Sequence, residues 1–486
     1  MPPSPAPVIV WLRDDLRLAD NPALAAACAT HAPLLCVFVM DRESSGIRPP
    51  GGASRWWLHH SLTRLAAAIT EIGGRLDILS GPAGALLPAL ARASGAGAVF
   101  WNRRYGVAEI AVDEAVKAEL AAQGIRTASF NSHLLTEPWE VRTKSGGEFK
   151  VFTPFWRACL EERHWPLPLP EPKHLLAAEW PRSAPKSLPL AALNLLPVKP
   201  DWSAGLASFW QPGEIGAQAR LARFLDQGID NYGNDRNRPD LPNVSSLSPH
   251  LRFGEISPRQ IVRSVEAAQA AGLIKPDDAA KFLSEIGWRE FSYHLLYHHP
   301  NLATVNFSRR FDAFPWAETN AALLQAWQKG QTGYPIVDAG MRQLWQTGFM
   351  HNRVRMVTAS FLTKHLMIDW RVGENWFWDT LCDADPANNP ASWQWVAGSG
   401  ADAAPYFRIF NPVLQGEKFD PNGDYVRQFV PELDRLPAQY IHEPWDAPPA
   451  VLRQAGVRLG SDYPRPVVEH GFARDRALAA FAELGK

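Results

Sequence analysis

The chain has 486 residues, of which 46% are hydrophobic and 20% are charged, a balance typical of an ordered globular protein. Its 49 basic and 50 acidic residues leave a formal charge of −1, which excludes a protein that holds nucleic acid by bulk positive charge. Any contact with DNA must therefore come from a local patch. A chain of this length is expected to form roughly two to four domains and can enclose a buried cofactor.

The cysteines and the apolar runs exclude further classes of protein. Cys28, Cys36, Cys159 and Cys382 lie far apart and form no C-x-x-C pair, which argues against a disulfide framework, a zinc knuckle or a cysteine-ligated iron–sulfur cluster. The start, MPPSPAP, lacks the basic and apolar stretches of a secretory signal, and no apolar run is long enough to span a membrane. We therefore expect a cytoplasmic protein.

Strands and helices are predicted to alternate in the first part of the chain. Short β-branched runs predict five strands, at VIVWLR from Val8, Leu34–Asp41, Leu76–Gly81, Ala98–Asn102 and Ile125–Asn131. Amphipathic segments predict helices between them, among them Pro22–Ala29, Ser54–Ile72 and Val107–Gln123. This alternation predicts an α/β domain over residues 1–136, with a doubly wound parallel sheet. The turn RDDLRLADNP has no G-x-G-x-x-G, which argues against a dinucleotide bound in the NAD manner.

The rest of the chain predicts a linker and a helical domain. Prolines recur through residues 137–212, in PLPLPEP, WPRSAP and LPVKP, and predict a long semi-rigid connector. From Glu214 onward helical periodicity replaces the strand pattern, so residues 213–486 are predicted to form an all-α domain that ends in the helix ARDRALAAFAELGK.

One predicted helix, FLSEIGWREFSYHLLYH, places three chemically different groups together. Glu285, Trp288 and Arg289 fall at i, i+3 and i+4, so a carboxylate, an indole and a guanidinium would share one face. For this helix alone, a solvated ion pair beside a packed tryptophan is the favoured interpretation. The histidines that follow are interpreted as packed or solvated, since no carboxylate set accompanies them as metal ligands would require: His294, His298 and His299.

A second helix, MHNRVRMVTASFLTKHLMIDW, places Asn352, Arg355 and Met356 on one face and Arg353 on another. The two arginines are therefore expected to have different partners, one a buried carboxylate and the other an exposed phosphate.

The segment DTLCDADPANNPASWQW concentrates hydrogen-bonding and aromatic groups. Its beginning is predicted to be a loop, because it is too rich in proline, asparagine and glycine for a helix. Burying so many polar groups costs too much free energy of desolvation for residues without a specific role. A loop that only caps helices is the alternative, although capping would not require the paired tryptophans. The residues concerned are Asp383, Asp385, Asn388, Asn389, Trp393 and Trp395.

Taken together, these strings resemble a known family. SSLSPHLRFGEISPRQ, WREF, QTGYPIVDAGMRQL, MHNRVRMVTASFL, DADPANNPASWQW and DAAPYFRIFNP are similar to the FAD-binding half of the photolyase/cryptochrome family, and WLRDDLRLADNPAL resembles its amino-terminal opening. The chain is most similar to the bacterial enzymes that act on cyclobutane pyrimidine dimers. The resemblance implies that excited reduced FAD gives an electron to a dimer flipped out of damaged DNA.

The resemblance also implies an FAD site. Asn352 and Arg355 would flank the isoalloxazine, with Arg355 paired to Asp383, while Asp385 would accept hydrogen bonds near the ribityl chain or the flavin edge. Asn389 matches the residue that faces flavin N5, where many plant-type cryptochromes carry aspartate. The remaining matches would line the FAD phosphates, with Arg289 supplying charge: Tyr232, Ser245, Leu247, Ser248 and Arg289.

The DNA lesion has matching residues as well. Glu285 would donate to a thymine carbonyl, Trp288 would stack on the flipped dimer, and Met356 would add a polarizable wall. In the (6-4) photolyases, two histidines stand at the place that matches His351–Asn352 of this chain. Their chemistry needs the second imidazole as a proton donor. Asparagine cannot replace it, so a cyclobutane dimer is the expected substrate.

The resemblance also assigns residues to three further roles through their matching positions. Trp393, Trp370 and Trp316 match the tryptophan relay that reduces the flavin, although each alone would be interpreted as a core residue. Arg236, Arg353, Arg408 and Trp395 match DNA-binding positions. Glu109 matches an antenna-binding residue, but Ala108 replaces the asparagine of folate-binding relatives. We expect 5,10-methenyltetrahydrofolate as the antenna, ahead of 8-hydroxy-deazaflavin.

Two rival functions stay open. A cryptochrome photoreceptor would show an acidic residue at position 389 and a long carboxyl-terminal tail. A flavin-storing or DNA-binding structural protein would not need Glu285 and Trp288 in register. We expect an FAD-dependent photolyase that acts as a monomer on UV-damaged DNA.

Overall fold

Five parallel strands form a single sheet in the first part of the chain. They are Val8–Leu12 (β1), Leu34–Met40 (β2), Leu76–Ser80 (β3), Ala98–Asn102 (β4) and Arg126–Phe130 (β5), in the order β3-β2-β1-β4-β5. All residues of β1, β2 and β4 are buried, as expected for parallel strands covered on both faces. The predicted strands and the doubly wound fold class are confirmed.

This structure is a computed structural model that describes residues 5–162, 165–403 and 407–484. The first four residues of MPPSPAP and residues 404–406 of DAAPYFRIFNP therefore lie outside the described residues. Contacts divide the chain into a first unit, Met1–Phe149, Thr153–Asp226 and Ser245–Pro300, and a second unit, Lys150–Phe152, Gln227–Val244 and Asn301–Lys486. The domain boundaries expected from the sequence stay a prediction.

Helices alternate with the strands and then follow them. Asn21 begins the first helix by accepting a hydrogen bond from Leu24 N, and Pro22 occupies its first position. Ser257 and Gln260 form a capping box at the start of a later helix. Apart from Tyr232–Asp235, which belongs to the second unit, the α-helices described up to residue 300 are Pro22–Cys28, Gly52–Glu71, Ala83–Ser94, Val107–Ala122, Phe152–Glu161, Ala204–Phe209, Glu214–Arg223, Ser248–Arg252, Pro258–Ala270 and Pro276–His298.

The region predicted as a long semi-rigid connector contains helical structure. The helices Phe152–Glu161 and Ala204–Phe209 lie inside residues 137–212. The reason is local amphipathicity: within FTPFWRACLE, Phe155, Trp156 and Cys159 are all buried. The helical periodicity of this short segment is hard to recognise in the sequence because prolines surround it.

The second unit is helical and has its own apolar core. No strand follows Phe130 among the residues that the structure describes. The α-helices are Tyr232–Asp235, Ala321–Gln328, Pro335–Thr347, Asn352–Ser360, Trp370–Thr380, Asn388–Ala397, Pro412–Phe419, Asp424–Phe429, Pro449–Ala455 and His470–Glu483, with a π-helical turn at Phe361–His365. In the described ranges, no helix is both long and apolar enough to cross a membrane.

Gly373 allows two of these helices to approach closely. It lies in the helix Trp370–Thr380, and a Cβ atom placed there would lie 2.1 Å from Cη2 of Trp393. Trp393 belongs to the helix Asn388–Ala397. Only glycine lets the indole lie directly on the neighbouring backbone.

Candidate functional site

Arg355 and Asp383 form a bidentate ion pair in the second unit. Arg355 Nη1 donates to Asp383 Oδ1 at 3.1 Å, and Nη2 donates to Oδ2 at 2.8 Å. Arg355 Nε donates to the carbonyl oxygen of Met350 at 2.7 Å. These bonds fix the plane of the guanidinium and hold a positive charge in a half-buried position.

The amide group of Asn389 is held by Glu374. Asn389 Nδ2 donates to the Glu374 carbonyl oxygen at 3.0 Å and to Glu374 Oε1 at 2.8 Å. Asn389 is 7% exposed and Glu374 is 1% exposed. Both N–H groups of the amide are therefore engaged, which leaves its carbonyl oxygen as the group available to a ligand.

Asp385 fixes the end of a loop against the start of a helix. Its Oδ1 accepts from Ala387 N at 2.8 Å and Asn388 N at 2.5 Å, and its Oδ2 accepts from Asn388 Nδ2 at 2.6 Å. Asp383 and Asp385 lie in a loop, as the sequence predicted, and the helix Asn388–Ala397 follows it. Pro390 lies in the first turn of this helix, where proline is tolerated.

Asn352 and Met356 lie on the helix Asn352–Ser360, where Asn352 is exposed and Met356 is half-buried. His351 caps this helix, since its Nδ1 accepts from Arg353 N at 3.2 Å. Burial lowers the pKa of His351 to about 3, and the nearby positive charges of Arg353, Arg355 and Arg236 add to this effect. The ring is therefore neutral, and Nδ1 as acceptor leaves the proton on Nε2.

The structure brings together the arginines that the resemblance assigns to DNA. Arg353 Nη2 donates to Asn237 Oδ1 at 2.8 Å. Burial, and then the like charges of Arg236 and Arg408, lower the pKa of Arg353. Arg408 also lies over the ring of Trp395, 5.6 Å from its centroid. Like charges held close together favour the binding of an anion.

The three predicted relay tryptophans belong to the second unit. Trp393 is 2% exposed, Trp370 is 0% exposed, and Trp316 is half-buried against the same apolar core. Trp370 Nε1 donates to Asn306 Oδ1 at 2.9 Å. Of the three, Trp316 is the most exposed, and their role as a relay stays a prediction.

Glu285 and Trp288 lie half-buried on the helix Pro276–His298 of the first unit. Lys281 Nζ is 3.5 Å from Glu285 Oε1, an i,i+4 pair with both side chains partly exposed. Such pairs contribute only about 0.3–0.5 kcal/mol. Glu285 thus forms an ion pair with Lys281, a residue that the sequence interpretation did not name.

Arg289 points into a buried network of the first unit. Its Nη1 donates to the His133 carbonyl oxygen at 2.7 Å, and Nη2 lies 2.7 Å from His133 Nε2. Glu290 Oε2 accepts from Leu135 N at 2.8 Å, and burial raises the pKa of Glu290 to about 7. These partners argue against Arg289 as an FAD diphosphate ligand, a role that stays a prediction.

The positions matched to the FAD phosphates have different environments. In the second unit Tyr232 is buried and begins a short helix. In the first unit Ser245 is half-buried and its Oγ accepts from Leu247 N at 3.4 Å, while Leu247 is buried and Ser248 is exposed. The hydroxyl groups of Ser245 and Ser248 are the ones with access to a phosphate.

Charged and polar groups fill the carboxyl ends of β1 and β4. Arg13 Nη1 donates to Asp113 Oδ1 at 2.5 Å and Nη2 donates to Oδ2 at 3.1 Å. Trp101 Nε1 donates to Asp113 Oδ2 at 2.8 Å, and Asn102 Nδ2 donates to Asp15 Oδ2 at 2.5 Å. The strand order reverses here, where open α/β sheets usually bind ligands, but side chains occupy the crevice.

The comparison with known proteins identifies the family. Residues 8–173 match the family model of DNA photolyase, and residues 282–483 match the model of the FAD binding domain of DNA photolyase. A deoxyribodipyrimidine photo-lyase of Agrobacterium fabrum is 52% identical over 481 residues, covering 99% of this chain and 98% of that protein. The chain belongs to the DNA photolyase family.

Other members of the photolyase family are also similar. Cryptochrome-1 of Arabidopsis thaliana is 39% identical over 98% of this chain and 70% of its own length. The crystal structure of a bacterial class III photolyase from Agrobacterium tumefaciens matches with a TM-score of 0.94 and 52% identity, covering 99% of this chain and 98% of that one. The family therefore includes both repair enzymes and cryptochromes.

The donor set of the second unit fits the flavin that the photolyase family model implies. Arg355, fixed by Asp383, supplies a cation, and Asn389 presents a carbonyl oxygen whose neighbouring nitrogen is already engaged. A reduced flavin carries negative charge on its ring and a proton on N5, so a cation and an acceptor are the groups it requires.

Sequence reasoning missed two partners. Glu374 and His133 escaped notice because each lies far along the chain from its partner and follows no motif. A single carboxylate lies beside the histidines, since Glu148 Oε2 is 3.1 Å from His299 Nε2. Across the described ranges, no group of three or more His, Cys, Asp or Glu side chains could hold a metal ion.

Proposed function

We propose that the protein is a light-dependent enzyme that repairs cyclobutane pyrimidine dimers in DNA. The similarity to a protein named deoxyribodipyrimidine photo-lyase over nearly the full length of both chains supports this activity. Bound FAD, reduced and excited by light, would supply one electron that opens the dimer and then returns. The protein binds the flavin, orients the damaged bases and excludes water.

The observation that carries the proposal is the neutral amide at position 389, with both N–H groups held by Glu374. It keeps an uncharged acceptor at the position assigned to flavin N5, where an aspartate of the cryptochrome kind would add negative charge. Asn352 in place of a second imidazole favours a cyclobutane dimer over a (6-4) lesion.

The remaining side chains have roles in this proposal. Glu285, in its protonated form, would donate a hydrogen bond to a carbonyl of the flipped dimer, and Trp288 would pack against the dimer with the large apolar face of its indole. Met356 would complete the apolar wall. Arg236, Arg353 and Arg408 would bind phosphates beside Trp395, which accounts for DNA binding by a chain of formal charge −1.

Electron supply and light harvesting would use other groups. Trp393, Trp370 and Trp316 would conduct an electron from solvent to an oxidised flavin. For the antenna we propose a folate near Glu109, in the first turn of the helix Val107–Ala122. The filled crevice at the ends of β1 and β4 supports a site outside the sheet for either a folate or a deazaflavin.

The test is blue-light repair of dimer-containing DNA by purified, photoreduced protein. Wild type should restore the bases, and Glu285→Ala should slow repair at least tenfold with FAD retained, because a charge-assisted hydrogen bond contributes about 1.5–3 kcal/mol. Lys281→Ala is the matched control and should leave the rate nearly unchanged. A wild-type protein that binds FAD but repairs no dimer would contradict the proposal and favour a photoreceptor.

A further inference from the structure

We infer that Glu374 is a positioning residue that holds the Asn389 amide with its carbonyl oxygen toward the flavin and thereby favours reduced FAD. The inference rests on the proposed function, because it takes Asn389 as the residue that faces N5. Glu374 itself would touch neither the substrate nor the reacting atoms.

The two contacts allow only one orientation of the amide. The backbone carbonyl of Glu374 can only accept a hydrogen bond, and it meets Asn389 Nδ2 at 3.0 Å, while Oε1 of the same residue lies 2.8 Å from that nitrogen. A flipped amide would place Oδ1 against these two acceptors and leave them unsatisfied. At 1% exposure for Glu374, water cannot compensate, so the flip would be costly.

The packing of the two helices maintains this contact. Gly373, next to Glu374, lies directly under the Trp393 ring, so the helices Trp370–Thr380 and Asn388–Ala397 approach closely. The carboxylate therefore meets Asn389 from a rigid helix rather than from a loop. A rigid support of this kind preserves the orientation of a functional side chain.

The orientation has a chemical consequence at N5. Oxidised flavin has an unprotonated N5, which accepts a hydrogen bond, whereas reduced flavin has an N5–H, which donates one. A carbonyl oxygen held at this position accepts from N5–H and repels the lone pair of an unprotonated N5. Glu374 thus shifts the bound cofactor toward the reduced form that repair requires.

The test is a double-mutant cycle on the midpoint potential of bound FAD. Glu374→Met, which removes the side-chain acceptor, is measured in wild type and in Asn389→Ala, since any effect of the substitution that does not pass through Asn389 must shift the potential equally in both backgrounds. We expect an additional shift to lower potential when Asn389 is present, about tenfold in the ratio of reduced to oxidised flavin, or about 30 mV for a two-electron couple. Equal shifts would overturn the inference.

A second measurement needs no variant at Glu374. Infrared difference spectra between oxidised and reduced protein labelled with 13C-asparagine should show an amide carbonyl band that moves to lower frequency on reduction and is absent in Asn389→Ala. A spectrum without such a band would also overturn the inference. Failure of the proposed function looks different, because wild type would then retain no FAD or would repair no dimer.

Discussion

The ends of the sheet in the first unit and the helical core of the second unit both bury charged groups, but they do so in opposite ways. Around Arg13 and Asp113 nearly every strong donor meets an acceptor of the protein itself. Around Arg353, two further arginines add like charge, and burial and these cations together lower its pKa. Charges that satisfy one another stabilise the fold, whereas like charges held together need a ligand. The difference separates structural polar groups from functional ones.

The largest expected effect is the loss of the buried pair in the first unit. Asp113→Ala should lower the free energy of unfolding by about 3–5 kcal/mol, because it leaves the Arg13 guanidinium buried without its counter-charge. Urea unfolding followed by circular dichroism measures this. Glu119→Ala, which breaks the exposed 3.7 Å pair with Arg92, should cost less than about 1 kcal/mol. Similar losses of stability in both variants would contradict the distinction between the buried and the exposed ion pair.

A smaller effect should appear as a pH dependence at Glu290. Burial raises the pKa of Glu290 to about 7 from its ordinary value of 4.5. The unfolded chain therefore ionises first, and the stabilisation present below pH 4.5 is lost as the pH rises through 7. Glu290→Gln should remove a dependence on the order of 3 kcal/mol between these limits.

Urea unfolding at several pH values, compared between wild type and Glu290→Gln, measures this contribution. The exposed Glu114→Gln is the control and should follow the wild-type curve. A variant curve parallel to that of wild type would show that Glu290 belongs with the permanently charged groups of the first unit.

The smallest effect concerns the arginine cluster of the second unit. Arg353→Ala should weaken binding of damaged and undamaged DNA by a similar factor and reduce the slope of log K against log salt by about 1, without loss of stability. Fluorescence anisotropy over a salt series measures both. Arg458→Ala, an exposed arginine paired with Asp462 at 2.8 Å, should leave the slope unchanged. An unaltered slope for Arg353→Ala would place this arginine among the structural charges.

The sheet could be predicted because β1, β2 and β4 are short apolar runs that are buried along their whole length, so the pattern and the fold carry the same information. The helix from Asn388 could not, since its asparagines and proline are typical of turns and the turn at Asp385 that precedes it depends on the exact backbone path. The pairing of Arg289 with His133 spans 156 residues, and no local pattern encodes such a distance.

Gly373 links the packing of Trp393 to the hydrogen bonding of Asn389. Its α-carbon lies against the Trp393 ring, and the next residue along the chain holds the Asn389 amide. A methyl group added at Gly373 would push both the Trp393 indole and the Asn389 amide away from the helix Trp370–Thr380. The proposed electron delivery through Trp393 and the proposed tuning of the flavin by Asn389 would therefore both depend on the absence of a side chain at Gly373.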